Sequence, residues 1–279
     1  LEKKDVMNRG APNLFLMIEV AQRELDSRLL LARKAMDTGY RVVIGQQWLM
    51  NEYLPQFSSG VVVYKGINRI QGGWMLRARN FGHRIVAINE EVMALAMPSF
   101  IAKTTTSEVL ALVDSLCAQG LNERDTYRHY FPEVPTRISM TGNPRADLLT
   151  ATHRHCYFED RDRIRGEHGS FILVNTNFGY INTEFGLPED FLSHCARVGM
   201  FNPSVKRDIE LFKARFQFER ENMMAFNDLL PILRERYPDR KVIVRPHPSE
   251  NHDRWRSLVS KVDGVEVHGD GPAIPWIIA

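Results

Sequence analysis

The sequence lacks three features that would each define a class of protein. It has no run of about 18 apolar residues, which is the length that a helix needs to cross a membrane. It does not open with the charged-then-apolar order of a secretory signal. Its 36 lysines and arginines against 34 acidic residues give a net charge of +2, so the basic excess typical of nucleic-acid binding is missing. We therefore expect a cytoplasmic protein that binds no nucleic acid.

Cysteine is scarce, and the common nucleotide and esterase motifs are missing. The three cysteines, Cys117, Cys156 and Cys195, are widely spaced and odd in number, which fits a reducing compartment. Gly-x-Gly-x-x-Gly, Walker A and Gly-x-Ser-x-Gly do not occur, so dinucleotide, P-loop and esterase functions lose their main support. His153, His155 and Cys156 resemble metal ligands, but no second ligand pair accompanies them. We expect no metal site and no cofactor.

What the sequence does contain is an alternation of short apolar runs with helical stretches, in a chain that is 44% hydrophobic. Continuous apolar runs favour strands that are covered on both faces of a parallel sheet. The candidate strands are 14–20, 41–44, 61–64, 84–88, 171–174, 241–245 and 265–267. The clearest helix is 22–37, with Leu25, Leu29, Ala32 and Met36 on one stripe and Gly39 at its C-cap. Further helices are expected over 106–130 and 204–236.

The fold class expected from this alternation is α/β, with two Rossmann-like domains in tandem that face a cleft. At about 150 residues per domain, 279 residues correspond to two domains. The polar stretch 151–169 contains no candidate strand and is expected to connect an N-terminal domain, 1–150, to a C-terminal domain, 170–279. Three strands are few for an independent core, so we expect the second domain to be incomplete in this chain.

The most informative motif is a strand that runs directly into Pro-His-Pro at 246–248. The two prolines fix the backbone around His247 and place its imidazole at the carboxyl end of a parallel strand, where such sheets bind ligands. Arg245 would lie on the same side, and Ser249 can cap the following helix and direct its positive end to a phosphate. We expect Arg245, His247, Ser249 and Glu250 to bind a ligand phosphate. The alternative is a rigid turn whose histidine only caps a neighbour.

Carboxylates cluster after the first strand. Glu19 closes that strand, and Arg23, Glu24 and Asp26 occupy the loop and first turn of the helix. Such carboxylates could act as a general base or orient an acceptor hydroxyl. The alternative is structural, because acidic residues favour a first helical turn and Glu24 with Arg28 is an ordinary i,i+4 pair. Glu19 is the residue that this alternative explains least.

Two further loops follow predicted strands or lie near the expected cleft. The Gly-Asn-Pro turn at 142–144 would place Asn143 or Arg145 near a ligand, although a structural turn explains it too. In the loop after the strand at 171–174, Thr176, Asn177 and Gly179 could present a hydroxyl, an amide and a backbone N–H to a phosphate or sugar. Ordinary turn chemistry explains this loop equally well.

Four motifs occur in one order along nearly the whole chain. They are Arg-Glu-Leu-Asp-x-Arg-Leu-Leu-Leu-Ala, Gly-Asn-Pro-Arg-x-Asp-Leu-Leu, Asn-Thr-Asn-Phe-Gly-x-Ile-Asn and Arg-Pro-His-Pro-Ser-Glu. This series resembles the bacterial surface carbohydrate biosynthesis proteins, which are similar to GT-B glycosyltransferases. The resemblance implies a donor nucleotide bound by the C-terminal domain, an acceptor bound by the N-terminal domain, and chemistry without a bound metal. The resemblance also implies that members of the family continue past residue 279 with a Gly-rich segment that helps to bind the nucleotide.

The resemblance also assigns roles to residues. The His-Pro pair is similar to that of GT-B enzymes that use cytidine nucleotides, in which the histidine contacts the donor phosphate, and this role falls on His247. An acidic residue of the N-terminal domain commonly acts as the base in such enzymes, and Glu19, Glu24 and Asp26 compete for that role.

The function expected from this resemblance is a glycosyltransferase of capsule or lipopolysaccharide synthesis. It would transfer a sugar, with a CMP-linked ulosonic acid favoured, from a nucleotide donor to a glycan or glycolipid acceptor, with peripheral contact to the inner membrane among its expected partners. The alternatives are a nucleotide-sugar epimerase or a polyol-phosphate polymerase of the same fold, and a non-catalytic carbohydrate-binding or scaffold protein.

Overall fold

The structure, a computed structural model, describes residues 10–90, 99–184, 186, 188–197 and 201–279. The chain divides into two compact units, unit 1 (Leu1–Cys156) and unit 2 (Tyr157–Ala279). The boundary between them lies inside the stretch that the sequence analysis assigned to a connection. Among the described helices, none combines the length and the apolar character that crossing a membrane requires.

Unit 1 is built around a parallel sheet of six strands. The strands are β1 (Asn13–Ile18), β2 (Arg41–Gln46), β3 (Gly60–Tyr64), β4 (Arg84–Ile88), β5 (Ser115–Ala118) and β6 (Arg137–Met140). The helices are α1 (Ala21–Asp37), α2 (Gln47–Tyr53), α3 (Arg69–Asn80), α4 (Ser99–Thr104), α5 (Ser107–Ala111), α6 (Leu121–Tyr130) and α7 (Pro144–Asp147). All neighbouring strands pair in parallel, so their carboxyl ends share one edge of the sheet.

The strand order of this sheet is β2-β1-β3-β4-β5-β6. The chain therefore moves outward from β1 to β2 and then returns to the other side of β1 to form β3. In Rossmann-like sheets the ligand crevice lies at such a reversal, beyond the carboxyl ends of the two strands that flank it. In unit 1 those strands are β1 and β3.

Side chains of alternate strand residues form the core on the two faces of this sheet. Phe15, Val62 and Ile85 are fully buried on one face together with residues of α3, whereas Leu16 and Val63 belong to a separate apolar cluster with α1. Runs of consecutive buried residues such as Leu14–Met17 confirm that the strands are covered on both faces.

Helix α1 begins and ends close to the predicted limits, and Gly39 follows it with a φ of +90°. The prediction of its buried face, however, is wrong. Leu25, Leu29 and Met36 are 37%, 50% and 59% exposed, and of the predicted stripe only Ala32 is buried. The residues that α1 buries are Glu24, Ser27, Arg28 and Ala32.

The helical zone expected over 106–130 contains helices at both ends, but a strand that was not predicted divides it. Helix α5 ends at Ala111, β5 follows, and α6 begins at Leu121. The four residues of β5, Ser-Leu-Cys-Ala, include no β-branched residue, so neither the β propensity nor the length of a typical strand marked it in the sequence.

Unit 2 contains a parallel sheet of three strands in the order β7-β8-β9, formed by β7 (Phe171–Asn175), β8 (Lys241–Arg245) and β9 (Val265–Val267). Its helices are α8 (Phe158–His168), α9 (Pro188–Arg197), α10 (Lys206–Arg236), α11 (His252–Val259) and α12 (Ile274–Ile278). Helix α8 occupies residues 158–168 of the predicted connection, so this part is helical and belongs to unit 2, whereas residues 151–156 belong to unit 1.

The two faces of this sheet are covered by different helices. Val242 and Val244 of β8 pack with Met223 of α10 and Trp255 of α11 in the apolar core. Side chains on the other face contact α8 and α12. The ring of Phe171 in β7 lies 6.0 Å from that of Trp276 in α12 and 6.5 Å from that of His168 in α8, measured between centroids. All seven strands predicted from the sequence are present, and β5 and β6 are added to them.

Candidate functional site

The carboxyl edge of the unit 1 sheet carries a group of five charged residues, four of them buried. Glu19 follows β1, Lys65 follows β3 and Glu90 lies two residues after β4, while Glu24 and Arg28 reach the same edge from α1. Because the strand order reverses between β1 and β3, Glu19 and Lys65 flank the position where this type of sheet binds ligands. We call these five residues the charged cluster of unit 1.

Lys65 joins the two glutamates of the cluster. Its Nζ contacts Oε2 of Glu19 and lies 3.4 Å from Oε1 of Glu24. The other oxygen of Glu24 accepts a 2.7 Å hydrogen bond from the backbone N–H of Glu19. Glu24 and Lys65 are buried, whereas the side chain of Glu19 is 36% exposed. Of the two carboxylates, therefore, only that of Glu19 is open to a substrate.

Arg28 and Glu90 form a second pair deeper in the cluster. Arg28 Nη1 donates to Glu90 Oε1 at 2.5 Å and Nε donates to the carbonyl of Met17 at 3.0 Å, and both charged side chains are buried. Arg28 Nη2 and Glu90 Oε2 have no hydrogen-bond partner in the described part of the chain. The i,i+4 pair expected for Glu24 and Arg28 is thus replaced by partners beyond the helix, which explains why α1 buries this face.

The cluster has three carboxylates and two cations, so it carries one negative charge more than it can neutralise. Burial raises the pKa of the Glu24 carboxyl above its usual value, and the neighbouring Glu90 charge adds to this, while Arg28 and Arg23 oppose it. A site with an excess carboxylate at the sheet edge can accept a proton from a hydroxyl group. This is the chemistry that the sequence assigned to Glu19, Glu24 and Asp26.

The remaining candidates of unit 1 are not among the five residues of this cluster, although the charge of Arg23 acts on Glu24. Arg23 and Asp26 are half-buried on α1 and neither contributes to its fully buried face. Asn143 is buried and caps α7, since its Oδ1 accepts a 2.9 Å hydrogen bond from the N–H of Arg145. Arg145 is half-buried within α7, which packs against α1. These contacts match the structural role that the sequence left open for the Gly-Asn-Pro turn.

In unit 2, the Pro-His-Pro loop after β8 is organised by Glu250, which is fully buried. Its carboxylate accepts hydrogen bonds from Thr176 Oγ1 at 2.7 Å, His247 N–H at 2.9 Å, Trp255 Nε1 at 2.8 Å and Asn182 Nδ2 at 3.3 Å. A carboxylate with four donors in a buried position fixes the loop after β7 to the loop after β8. The expectation that Glu250 binds a phosphate is therefore wrong, because its carboxylate is enclosed by these donors. The hydroxyl of Thr176 donates to Glu250, while the residue itself lines a cavity beside the loop.

The imidazole of His247 is oriented by Ser249. Ser249 N–H donates to His247 Nδ1 at 3.2 Å, and Ser249 Oγ lies 2.7 Å from the same nitrogen. With Nδ1 as acceptor, the neutral ring carries its proton on Nε2. His247 is half-buried and Ser249 is exposed at the carboxyl edge of the sheet. This position agrees with the prediction that the proline-flanked ring lies at the end of a parallel strand.

Two other predictions for this loop need correction. Ser249 does not cap the following helix: the cap of α11 is Asn251, whose Oδ1 accepts from Arg254 N–H at 2.9 Å. Arg245 does not form an anion clamp with His247, because it is buried and its guanidinium donates to the carbonyls of three residues after β9, His268 at 3.2 Å, Asp270 at 3.0 Å and Gly271. Arg245 thus ties β8 to the chain after β9.

A recess of about 200 Å³ lies beside this loop, and we call it the unit 2 recess. Three residues that the sequence predicted to bind a ligand, Asn177, Gly179 and Ser249, line it together with Arg215 of α10. A Cβ atom at position 179 would lie 2.9 Å from Ser249 Oγ, so a side chain there would displace the Ser249 hydroxyl where the two loops meet. The other residues that line the recess are Tyr180, Thr183, Phe191 and Glu219.

Arg215 is the residue of this recess that the sequence analysis missed. Its guanidinium lies over the ring of Tyr180, 4.0 Å from the centroid, and its Nε is 3.9 Å from Glu219 Oε1. The side chain is 57% exposed, so its charge is available to a ligand. The basic residues of α10 were visible in the sequence, but only the fold reveals which of them faces the strand ends.

Two larger cavities lie in unit 2. One of about 530 Å³ adjoins the recess and shares Asn177, Arg215 and Glu219 with it. Another of about 680 Å³ lies between α10 and α11 and is mainly apolar, with Met223, Met224 and Leu258 in its wall. The larger one includes Ile181 and Gly186 of the chain after β7 but no residue of the Pro-His-Pro loop, so we assign the candidate site to the recess and its neighbour.

The same local device recurs at three strand-to-helix junctions. A glutamate near the start of the helix accepts a hydrogen bond from the backbone N–H of a residue just after the strand, at 2.7 Å, 2.7 Å and 2.9 Å. The pairs are Glu24 with Glu19, Glu123 with Gln119 and Glu250 with His247. Burial raises the pKa of Glu123, as it does that of Glu24.

Comparison with known proteins adds little to this description. No family model matches the chain, and no curated protein matches it. Among solved structures the chain is similar to one described as "Putative sugar binding protein from Salmonella typhimurium LT2", with 14% identity over 94% of this chain and 78% of that chain and a TM-score of 0.30. A likeness at that TM-score supports no assignment of function.

Proposed function

We propose that the protein is a glycosyltransferase of bacterial surface polysaccharide synthesis, in which units 1 and 2 are the acceptor and donor domains of a GT-B arrangement. The donor would be a nucleotide-activated sugar, with a CMP-linked ulosonic acid favoured, and the acceptor a glycan or glycolipid. The observation that carries the proposal is the His247–Ser249 pair, fixed by Glu250 at the end of β8 beside the unit 2 recess.

The unit 2 recess supports the donor side of this proposal. A nucleotide phosphate needs hydrogen-bond donors and positive charge at fixed positions. The amide of Asn177 and the guanidinium of Arg215 line one recess together with Ser249, whose hydroxyl and N–H both contact Nδ1 of the neighbouring His247 ring. The adjoining cavity of about 530 Å³ offers space for the rest of a nucleotide.

The charged cluster of unit 1 supports the acceptor side. Glu19 is the most accessible of its carboxylates and lies beside the strand reversal, where Rossmann-like sheets bind ligands. We assign the general base to Glu19. Glu24 and Lys65 act on it as positioning residues: Glu24 binds the backbone N–H of Glu19, and Lys65 contacts its carboxylate.

The proposed reaction is a displacement at the anomeric carbon of the donor. The acceptor hydroxyl oxygen forms a bond to that carbon while the bond from the carbon to the phosphate oxygen breaks. Glu19 takes the hydroxyl proton, and the leaving nucleotide keeps the electron pair of the broken bond as phosphate charge. His247 and Arg215 stabilise that charge. Stabilisation of the charge that develops in the transition state is usually the largest single contribution to catalysis.

Calorimetric titration with CMP, CDP and UDP tests the donor site directly. A hydrogen bond to a charged phosphate contributes about 1.5–3 kcal/mol, so His247→Ala should weaken cytidine nucleotide binding about 10- to 100-fold. His153→Ala, in unit 1, is the matched control and should bind as the unchanged protein does. Equal affinity of the His247→Ala and His153→Ala variants for every nucleotide would remove His247 from the site.

Turnover distinguishes the proposal from its rivals. With a sugar nucleotide and an acceptor, His247→Ala should reduce transfer by about 10²-fold or more. Conversion of the donor without an acceptor would instead indicate an epimerase, and transfer of polyol phosphate would indicate a polymerase. Failure of all three nucleotides to bind would favour a non-catalytic carbohydrate-binding or scaffold protein.

A further inference from the structure

We infer that unit 2 has a binding site for a divalent transition-metal ion of the Zn²⁺ class, formed by His168, Glu266 and His268. The three residues lie on the face of the unit 2 sheet that meets α8 and α12, away from α10 and the unit 2 recess. The inference is independent of the proposed glycosyltransferase activity.

The three side chains converge although they are far apart in the sequence. His168 is the last residue of α8, Glu266 lies in β9 and His268 follows β9. His168 Nδ1 is 2.9 Å from Glu266 Oε2, and His268 Nε2 is 3.1 Å from the same oxygen. One ligand atom from each residue lies within 4.8 Å of the other two.

These separations suit a single ion. Zinc bonds to histidine nitrogen and carboxylate oxygen are about 2.0–2.2 Å long, so two ligand atoms on one tetrahedral ion are about 3.3 Å apart. Two imidazoles and one carboxylate are a common set for zinc and its neighbours, whereas Mg²⁺ and Ca²⁺ prefer oxygen ligands. Three protein ligands leave a fourth position for water or a substrate atom.

A buried ring nitrogen gives a second, independent reason. The side chain of His168 is 8% exposed, and its Nδ1 makes no aligned hydrogen bond with any described residue, in spite of its short distance to Glu266. An unsatisfied buried nitrogen is costly. A metal ion at the converging atoms would use this lone pair.

The surroundings orient the three ligands. Lys241 Nζ donates to the other oxygen of Glu266 at 2.6 Å, and the second nitrogen of His168 lies 3.8 Å from Glu167 Oε2. The ring of Trp276 covers both imidazoles, with centroids 5.4 Å from His168 and 5.1 Å from His268. Outer contacts of this kind fix ring orientation in metal sites. With the ion present, Glu266 would bind two cations, the ammonium of Lys241 through Oε1 and the metal through Oε2.

The test is a Zn²⁺ titration of the untagged chain, stripped with a chelator, against a chromophoric competitor. We expect one ion per chain, and His268→Gln should weaken binding by about 100-fold or more, since loss of an outer contact alone costs about 10- to 100-fold. His155→Gln, which removes an exposed histidine next to Cys156, is the control and should leave the affinity unchanged. Co²⁺ in place of Zn²⁺ should give visible d–d bands that are lost in His268→Gln.

The stability of the variants without metal separates folding from ligation. His268 is 35% exposed, and Glu266→Gln provides a second variant that keeps the size of the side chain. Both variants should retain the near-ultraviolet dichroism of the stripped protein and lose tight Zn²⁺ binding. The inference would be overturned if both variants still bound Zn²⁺ tightly. It would also be overturned if His155→Gln lost binding instead, or if the unchanged protein bound no stoichiometric Zn²⁺.

Discussion

The indole N–H of Trp255 donates a 2.8 Å hydrogen bond to Oε2 of Glu250, which connects the loop of His247 to the apolar core of unit 2. Trp255 is buried between α10 and the sheet, so any shift of the Glu250 carboxylate disturbs both the core and the candidate phosphate site. The geometry of His247 thus depends on a residue that itself contacts no ligand in the proposed mechanism.

Replacing Glu250 by Gln should destabilise unit 2. Four donors now share the two carboxylate oxygens of Glu250, whereas an amide offers only one acceptor oxygen. At least one buried donor is then left unsatisfied, at a cost of about 1–3 kcal/mol. Denaturant unfolding followed by tryptophan fluorescence measures the loss. Glu235→Gln on the exposed surface of α10 is the control, and equal unfolding free energies for the two variants would contradict the role of Glu250.

Glu19 and Asp26 make a matched pair for the proposed base. Glu19→Gln should lower sugar transfer by about 10²-fold or more, because the amide cannot accept the hydroxyl proton. Asp26→Asn, on the same segment but outside the charged cluster, should keep most of the activity. The measurement is the initial rate with saturating donor and acceptor, and a larger loss in Asp26→Asn would transfer the role of base to Asp26.

The raised pKa of Glu24 has a consequence for stability that depends on pH. Burial favours the protonated form in the fold, so this residue's stabilising contribution is complete below its unfolded pKa and is lost as the pH rises through its higher folded pKa. Glu24→Gln should therefore gain stability relative to the unchanged protein as the pH rises above the ordinary glutamate value of 4.5, as denaturant titrations at several pH values would show. A difference that stays constant as the pH rises would argue against burial as the cause.

Adjacent glycines in α3 should respond to alanine in opposite directions. A Cβ at Gly73 meets nothing within 4 Å, so Gly73→Ala should stabilise unit 1 by about 0.5–1 kcal/mol through the helix propensity of alanine. A Cβ at Gly72 would lie 2.6 Å from Cγ2 of Val109, so Gly72→Ala should destabilise it. Thermal unfolding of both variants gives the comparison, and the same sign of change in both would show that α3 and α5 are not packed as described.

Apolar patterning predicted the strands well, because runs such as Val61–Tyr64 are buried on both faces and carry β-branched residues. It failed on α1, where Leu25 and Leu29 are exposed while Glu24 and Arg28 are buried. Spacing alone cannot reveal such a face. The partners that compensate the buried charges, Lys65 and Glu90, come from other strands and are brought together only by the fold.

The candidate sites show the same limit. The Pro-His-Pro loop could be predicted, because two prolines restrict the backbone locally. The carbonyl contacts of Arg245 could not, since they depend on the chain after β9. The sequence analysis discounted His153, His155 and Cys156 as metal ligands and expected no metal site, whereas the residues that converge are His168, Glu266 and His268, from opposite ends of unit 2.

The glutamates that bind backbone N–H groups at the starts of α1, α6 and α11 have a bearing on ligand selection. A helix start with free amides attracts any anion, whatever its shape. Here each carboxylate accepts from a backbone N–H just before the helix, so that amide is not available to sulfate, free phosphate or another small oxyanion. Discrimination among negatively charged metabolites is then left to side chains such as Arg215 and Ser249, which can be altered one at a time without disturbing the helices behind them.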